Sequence, residues 1–256
     1  MEARRQAQEL LALQNASAAS DRPAEAKPSG PFDLLLYPFS LTGTITLVAM
    51  IGLPILLGLL GTFGPLRLLL RSWPSLMFNG VVGLYIGWYL AECVYDSAKG
   101  GTRAPQALGT AGDIYDTWSR VSYLAAVYIL YGLPAALYWM IAQRFDAVFW
   151  ALAAWAIVFL PMGLLAMVVN DSVSALNPLF LLDSIRRVFV PYVGLLVLLV
   201  AMAGLCWLLP TVLSQGIPPT WFALLALVVS AYSLFLFAHV LGRFYWRHRD
   251  QLDWGL

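Results

Sequence analysis

Charge is scarce in this sequence. Only 11% of its 256 residues are Asp, Glu, Lys or Arg, against about 25% in a typical soluble domain. With 61% hydrophobic residues, a chain of this size has too little polar surface to face water, so its solvent must be lipid. A net charge of +1 gives no electrostatic basis for nucleic acid as a partner. Cysteine is limited to Cys93 and Cys206, both in apolar stretches without a CxxC or a His-rich neighbourhood. They fall near opposite membrane faces in the topology below, too far apart for a disulfide. Histidine is limited to His239 and His248, which leaves few general bases. No G-x-S-x-G, H-E-x-x-H, P-loop or paired-carboxylate signature occurs, so the sequence points to no cofactor, no metal and no enzyme.

The first residues are not expected to act as a secretory leader, because Leu10 to Leu13 is shorter than the roughly 7–15 apolar residues such a leader needs. Glu2 to Gln14 reads as a short polar helix and Asn15 to Pro31 as a flexible linker.

What the chain does have is long apolar runs. A bilayer core needs about 20 apolar residues per helix, and six stretches qualify: Thr42–Thr62, Ser75–Tyr95, Val121–Ala142, Ala147–Val169, Val190–Leu209 and Trp221–Leu241. The lead-in Phe32 to Phe39 is expected to lie along the interface. Spans three and four are joined only by Gln143 to Asp146, so they must form an antiparallel hairpin. The expected fold is an all-α, polytopic transmembrane bundle of six spans. Residues 1–31 form a tail and linker, 32–241 the membrane domain and 242–256 a C-terminal tail.

Orientation follows from where Lys and Arg fall. One side carries Arg4, Arg5, Arg22, Lys27, Lys99, Arg103, Arg120, Arg186, Arg187, Arg243, Arg247 and Arg249; the other carries only Arg67, Arg71 and Arg144. Both termini are therefore expected in the cytoplasm. Trp73, Trp139, Trp150, Trp207 and Trp221 mark the outer interface.

Four patterns carry candidate function. Asn79, Gly83, Gly87 and Ala91 recur every fourth position, a small-residue seam on one face of span two. It suits either packing inside the bundle or docking of another subunit. Asn177-Pro178 opens a short amphipathic helix before span five, with Pro178, Leu181, Leu182, Ile185 and Val188 on one face and Asp183, Arg186 and Arg187 opposite. It is expected to lie in the interface. Glu92, Asp171 and His239 fall near the inner mouth, where caps and salt bridges compete with a shared polar or metal site. Lys99-Gly100-Gly101-Thr102-Arg103 sets a glycine pair between two cations. That arrangement suits a turn or, with Arg186 and Arg187, contact with a lipid headgroup.

Pro54, Pro134 and Pro161 interrupt apolar runs and imply kinks. Gly100-Gly101 with Pro105, the run Ala107 to Trp118, Tyr131-Gly132-Leu133-Pro134, Pro161-Met162-Gly163 and Asn177 to Tyr192 together resemble a bacterial family of polytopic membrane proteins catalogued as a domain of unknown function. The resemblance implies a bacterial inner-membrane protein and carries over no catalytic residue. The functional expectation is a non-enzymatic assembly, anchoring or accessory subunit, whose partners are the bilayer and other membrane subunits or itself. The alternative is a small permease or flippase for a lipid-like or neutral solute.

Overall fold

The computed structural model describes residues 36–60, 73–102, 104–105, 114–213 and 218–254. The N-terminal helix and linker expected over Glu2 to Pro31, the connection bearing Arg67 and Arg71, and Arg103 lie outside the described residues. So do the side chains of Asn79, Trp73, Trp118 and Arg120. Among the described residues every regular element is helical. The helices are α1 (Leu41–Leu60), α2 (Trp73–Ala98), α3 (Ile114–Val127), α4 (Leu133–Ala142), α5 (Ala147–Asn170), α6 (Pro178–Arg187), α7 (Phe189–Leu213) and α8 (Pro219–Leu252).

Four described helical stretches are long and apolar enough to cross a membrane: Val121–Ala142, Ala147–Asn170, Phe189–Leu209 and Trp221–Leu252. The shortest has 21 residues and is ~32 Å long at ~1.5 Å per residue, enough for a hydrocarbon core of ~30 Å. α1 and α2 occupy the first two expected spans, and the described side chains of Leu41–Leu53 form an apolar stretch at the start of α1.

Local signals explain where these helices begin. The Oγ of Ser40 accepts the Gly43 N–H at 3.2 Å and caps α1. Asn177 Oδ1 accepts the Leu179 N–H at 3.0 Å, and Pro178 follows at the first helical position. Asp146 starts α5: its Oδ1 accepts from the Val148 and Phe149 amides, while Tyr138 donates to its Oδ2. With Gln143 in the left-handed region at φ 48°, four residues suffice to fold α5 back on α4.

The Tyr138 hydroxyl, then the Phe149 and Val148 amides, hold the Asp146 carboxyl below the usual carboxylate range. A lowered value means the ionised cap is intact at neutral pH and is lost as pH falls through that value. Amide exchange at Val148 and Phe149, corrected for intrinsic rates, should therefore speed up under acid before the rest of α5 responds. Asp146→Ala should produce the same local fraying at neutral pH.

The span Val121–Ala142 is not one regular helix. Between α3 and α4, Tyr128–Gly132 forms a π-turn, just ahead of Pro134, which offers no N–H to the ladder. The widened turn absorbs the missing donor where a simple kink was expected. It also buries Tyr131, whose ring stacks on Phe159 at 5.7 Å between centroids and whose hydroxyl donates to the Leu176 carbonyl at 2.6 Å. Gly163 makes room for that ring, since a Cβ there would sit 3.2 Å from Tyr131 Cε2. Tyr131→Phe should cost about 1–2 kcal/mol, because a buried carbonyl loses its partner, and denaturation in mild detergent would read this.

Packing is concentrated at one end. The largest fully buried side chains include Tyr89, Tyr131, Tyr192, Tyr245, Phe235, Met162, Leu165, Leu181 and Leu252, the last two on α6 and at the end of α8. Towards the other end, Ile141, Met140, Trp150, Leu205, Trp207, Val212 and Trp221 are exposed. Leaving one such side chain in water forfeits about 1.5–3 kcal/mol of burial, so a crowd of them suits an apolar surround, as a membrane provides.

Two boundaries differ from expectation. α8 continues, through a kink at His248, to Leu252 with Phe244, Tyr245 and Leu252 buried, so residues 242–252 pack with the bundle rather than as a separate tail. Trp254 then stacks on Tyr245 at 5.6 Å and donates from Nε1 to Ser184 Oγ of α6 at 3.2 Å. In the lead-in, the short 3-10 turn Tyr37–Phe39 buries Tyr37 within the bundle, although Leu36 and Phe39 stay exposed.

Candidate functional site

α2 and α8 make the most extensive contact in the structure, and small residues explain it. A Cβ on Gly242 would collide with the carbonyl oxygen of Val94 and lie 2.5 Å from Ser97 Cβ and 2.9 Å from the Ala98 amide nitrogen. Gly242 is therefore the close-approach point of α8 against the Val94–Ala98 turn. Gly242 lies one residue beyond the expected end of span six at Leu241, in the stretch expected as a C-terminal tail.

Beside this contact lies a buried polar node. Ser97 Oγ and His239 Nδ1 are 2.8 Å apart, the direction of donation following the imidazole tautomer. Ser97 is fully buried and His239 is 2% exposed. The ring of Tyr37 stacks on His239 at 3.8 Å and 16°, so the lead-in, α2 and α8 converge on one imidazole. Cys93, also buried, lies one turn before Ser97 on α2. The hydroxyl and imidazole satisfy one another, and the node acts as a tie between three elements.

His239 is thus taken up by Ser97 and Tyr37. Glu92 lies half-buried on α2 and Asp171 is exposed just past the end of α5, in the left-handed conformation at φ 46°. Among the described residues no group of three His, Cys, Asp or Glu side chains comes together to hold a metal ion, so Glu92, Asp171 and His239 do not form a shared cation site.

The glycine pair closes α2. Gly100, at φ 93°, donates its N–H to the Ser97 carbonyl at 3.1 Å, and Gly101 donates to the Asp96 carbonyl at 2.9 Å. This is the paired C-terminal closure that a left-handed glycine allows. A Cβ on Gly100 would press on the Trp246 ring at 3.1 Å, and one on Gly101 would strike the Asp96 carboxyl. Both glycine amides are committed to the helix end, so the glycine pair itself offers no free N–H to a phosphate. Lys99 Nζ sits over the Tyr95 ring at 4.2 Å.

On α6, Leu181, Ile185 and Val188 are buried as the pattern requires, whereas Pro178 and Leu182 are exposed. Arg187 pairs with Asp183 at 2.8 Å, and Arg186 is exposed.

The seam on α2 faces none of these contacts. A Cβ on Gly83 or Gly87 would meet nothing within 4 Å. Both glycines, with Ala91, line a cavity of about 580 Å³ walled by α2, α3, α5, α7 and α8. Its lining is hydrocarbon apart from Tyr128. At the end nearer α6 it adjoins a pocket of about 10 Å³ lined by Tyr123 and Asp171, and the two share Ala91, Leu124 and Val168. Gly83 and Gly87 therefore border an open space, whereas Ala91 is buried.

No family model, curated protein or solved structure matches this chain. Its class rests on its own geometry: an all-helical protein whose described residues include four helices of membrane-crossing length and apolarity.

Proposed function

We propose that the chain is a six-span protein of a bacterial inner membrane, with both ends in the cytoplasm and α6 at the cytoplasmic interface. In this reading it serves as a non-enzymatic assembly or accessory subunit. The observation that carries the subunit role is uneven cover. Within the bundle, the best apolar window of Ala147–Asn170 is 39% buried, but that of Phe189–Leu209 is 17% and that of Val121–Ala142 only 11%. Helices this bare have surface to give to a neighbour, and the partner contact falls on α4 and α7 in preference to the α2 seam. Charge asymmetry supports the orientation.

The test is purification in mild detergent together with cross-linking in native membranes from Leu137→Cys on α4 and Leu205→Cys on α7, in a Cys206→Ser background. The expected result is a discrete cross-linked species from each site and a stoichiometric companion chain or second copy. Recovery of a lone protomer, with no cross-link from either helix, would sink the proposal.

The permease reading survives for one kind of solute. Among the described side chains that line the cavity, a neutral polar molecule would find one hydroxyl, Tyr128, whereas a lipid-like one needs none. Proteoliposomes should accordingly show no uptake of small polyols above protein-free vesicles.

A further inference from the structure

We propose that residues 249–254 form a hinged strap, which pivots at His248 and either fastens α6 to the bundle or lets it loosen. This goes beyond the subunit reading and does not depend on it. The hinge is the first argument. At His248 the backbone leaves the helical region, with φ −119° and ψ 15°, against about −63° and −42° in a regular helix. Its side chain supports the break: Nδ1–H donates to the Phe244 carbonyl at 3.0 Å, and the imidazole lies 4.8 Å from the Phe244 ring. One residue near the helix end thus absorbs the change of direction, as hinges do.

The small number of gripping side chains is the second argument. Arg249, Asp250, Gln251 and Asp253 are exposed, so these four are as well solvated in an open strap as in a closed one. Leu252, which is buried, and Trp254, which is half-buried, make the inward contacts. The helix closes at Asp253, at φ 52°, whose N–H donates to the Arg249 carbonyl at 3.0 Å. Beyond that closure the Trp254 indole lies against Tyr245 of α8 and Phe180 of α6, with centroids 5.6 and 5.8 Å away. Its Nε1–H donates to Ser184 Oγ at 3.2 Å, and that hydroxyl donates onward to the Phe180 carbonyl at 2.9 Å. A single indole therefore ties α8 to α6 by ring contact and by hydrogen bond.

The helix it holds is the third argument. α6 has 10 residues, fewer than the ~12–15 at which an isolated helix is marginal in water, so tertiary contacts must keep it in place. Non-helical backbone bounds it on both sides, at Asn177 with ψ 120° and at Val188 with φ −118° and ψ 34°. Upstream, the Tyr131 hydroxyl holds the Leu176 carbonyl; Trp254 engages the middle of the helix. Swinging the strap away removes the second hold and uncovers the Phe180 ring and the Ser184 hydroxyl. Whatever draws the C-terminal residues off the bundle then opens α6 locally, without unfolding the spans.

The experiment uses hydrogen exchange on the full chain in lipid nanodiscs. Trp254→Ala should raise exchange across Pro178–Arg187 about tenfold, a loss of about 1.4 kcal/mol in protection, while Ala147–Val169 keeps wild-type rates. Trp254→Phe keeps a ring without the N–H and should raise it about threefold. Ser184→Ala should match Trp254→Phe, and the two together should add nothing. His248→Ala leaves Trp254 intact yet should loosen α6 as Trp254→Ala does. Spin labels at the exposed positions Arg186 and Asp250, in a Cys206→Ser background, report the strap itself. A longer distance should appear in His248→Ala, and the same one in Trp254→Ala.

Unchanged α6 exchange in Trp254→Ala would overturn the proposal, because the strap would then hold nothing. Protection lost equally from α5 and α7 would overturn it too, since Trp254 would then be an ordinary core residue. An unaltered label distance in His248→Ala would remove His248 as the hinge.

Discussion

Gly242→Leu should separate α2 from α8 and cost about 3 kcal/mol, the upper end of the usual overpacking range. The reason is what stands in the way. Flexible side chains yield to an intruding methyl, but Gly242 faces the Val94 carbonyl and the Ala98 amide, which belong to a helix backbone. Even Gly242→Ala should destabilise, because the first added carbon already meets that carbonyl. Thermal or denaturant unfolding in mild detergent, followed by tryptophan emission, is the measurement. Gly87→Leu is the internal control: the same substitution on the same helix pair, but into open space, should be tolerated. Equal behaviour of the two variants would contradict the arrangement of α2 and α8.

His239→Ala should be the second large loss, about 2–4 kcal/mol, combining a cavity at a buried aromatic position with an orphaned hydroxyl. The hydrogen bond is the smaller part, since interhelical polar contacts in membranes average only about 0.6 kcal/mol. Most of the cost lies in the lost stacking on Tyr37 and in the void left among α2, α8 and the lead-in. His239→Phe keeps a ring for Tyr37 but strands Ser97, so adding Ser97→Ala should recover part of its deficit. Hydrogen exchange over Tyr37 to Thr46 separates the contributions: it should rise sharply in His239→Ala and little in Ser97→Ala. A double-mutant cycle with no coupling between residues 97 and 239 would remove the node as a tie.

The sequence announces those parts of the fold that are local. Apolar runs of the right length mark the spans, four residues between Ala142 and Ala147 dictate a hairpin, and Asn177-Pro178 states where α6 begins. The node was illegible because Ser97 and His239 are 142 positions apart, and nothing in a serine or a histidine says which partner it will find. Tyr37 was likewise read as part of an interfacial lead-in, since its aromatic neighbours suit a headgroup zone as well as a core. The seam shows a different limit. Spacing put Gly83, Gly87 and Ala91 on one face, but periodicity does not reveal whether a face is filled, and here its two glycines border a void. The glycine pair after α2 was legible as a turn, but its use as a helix closure depended on the carbonyls behind it.

Interlocking at only one end divides the mechanical load between protein and bilayer. Near α6 the helices hold one another through rings, a carbonyl–hydroxyl bond and the α2–α8 contact. At the opposite end, where Ile141, Trp150 and Trp207 face outward, the spacing of the free legs is left to whatever surrounds them. Thinning or stretching that leaflet should therefore spread or gather those legs while leaving the hub undisturbed.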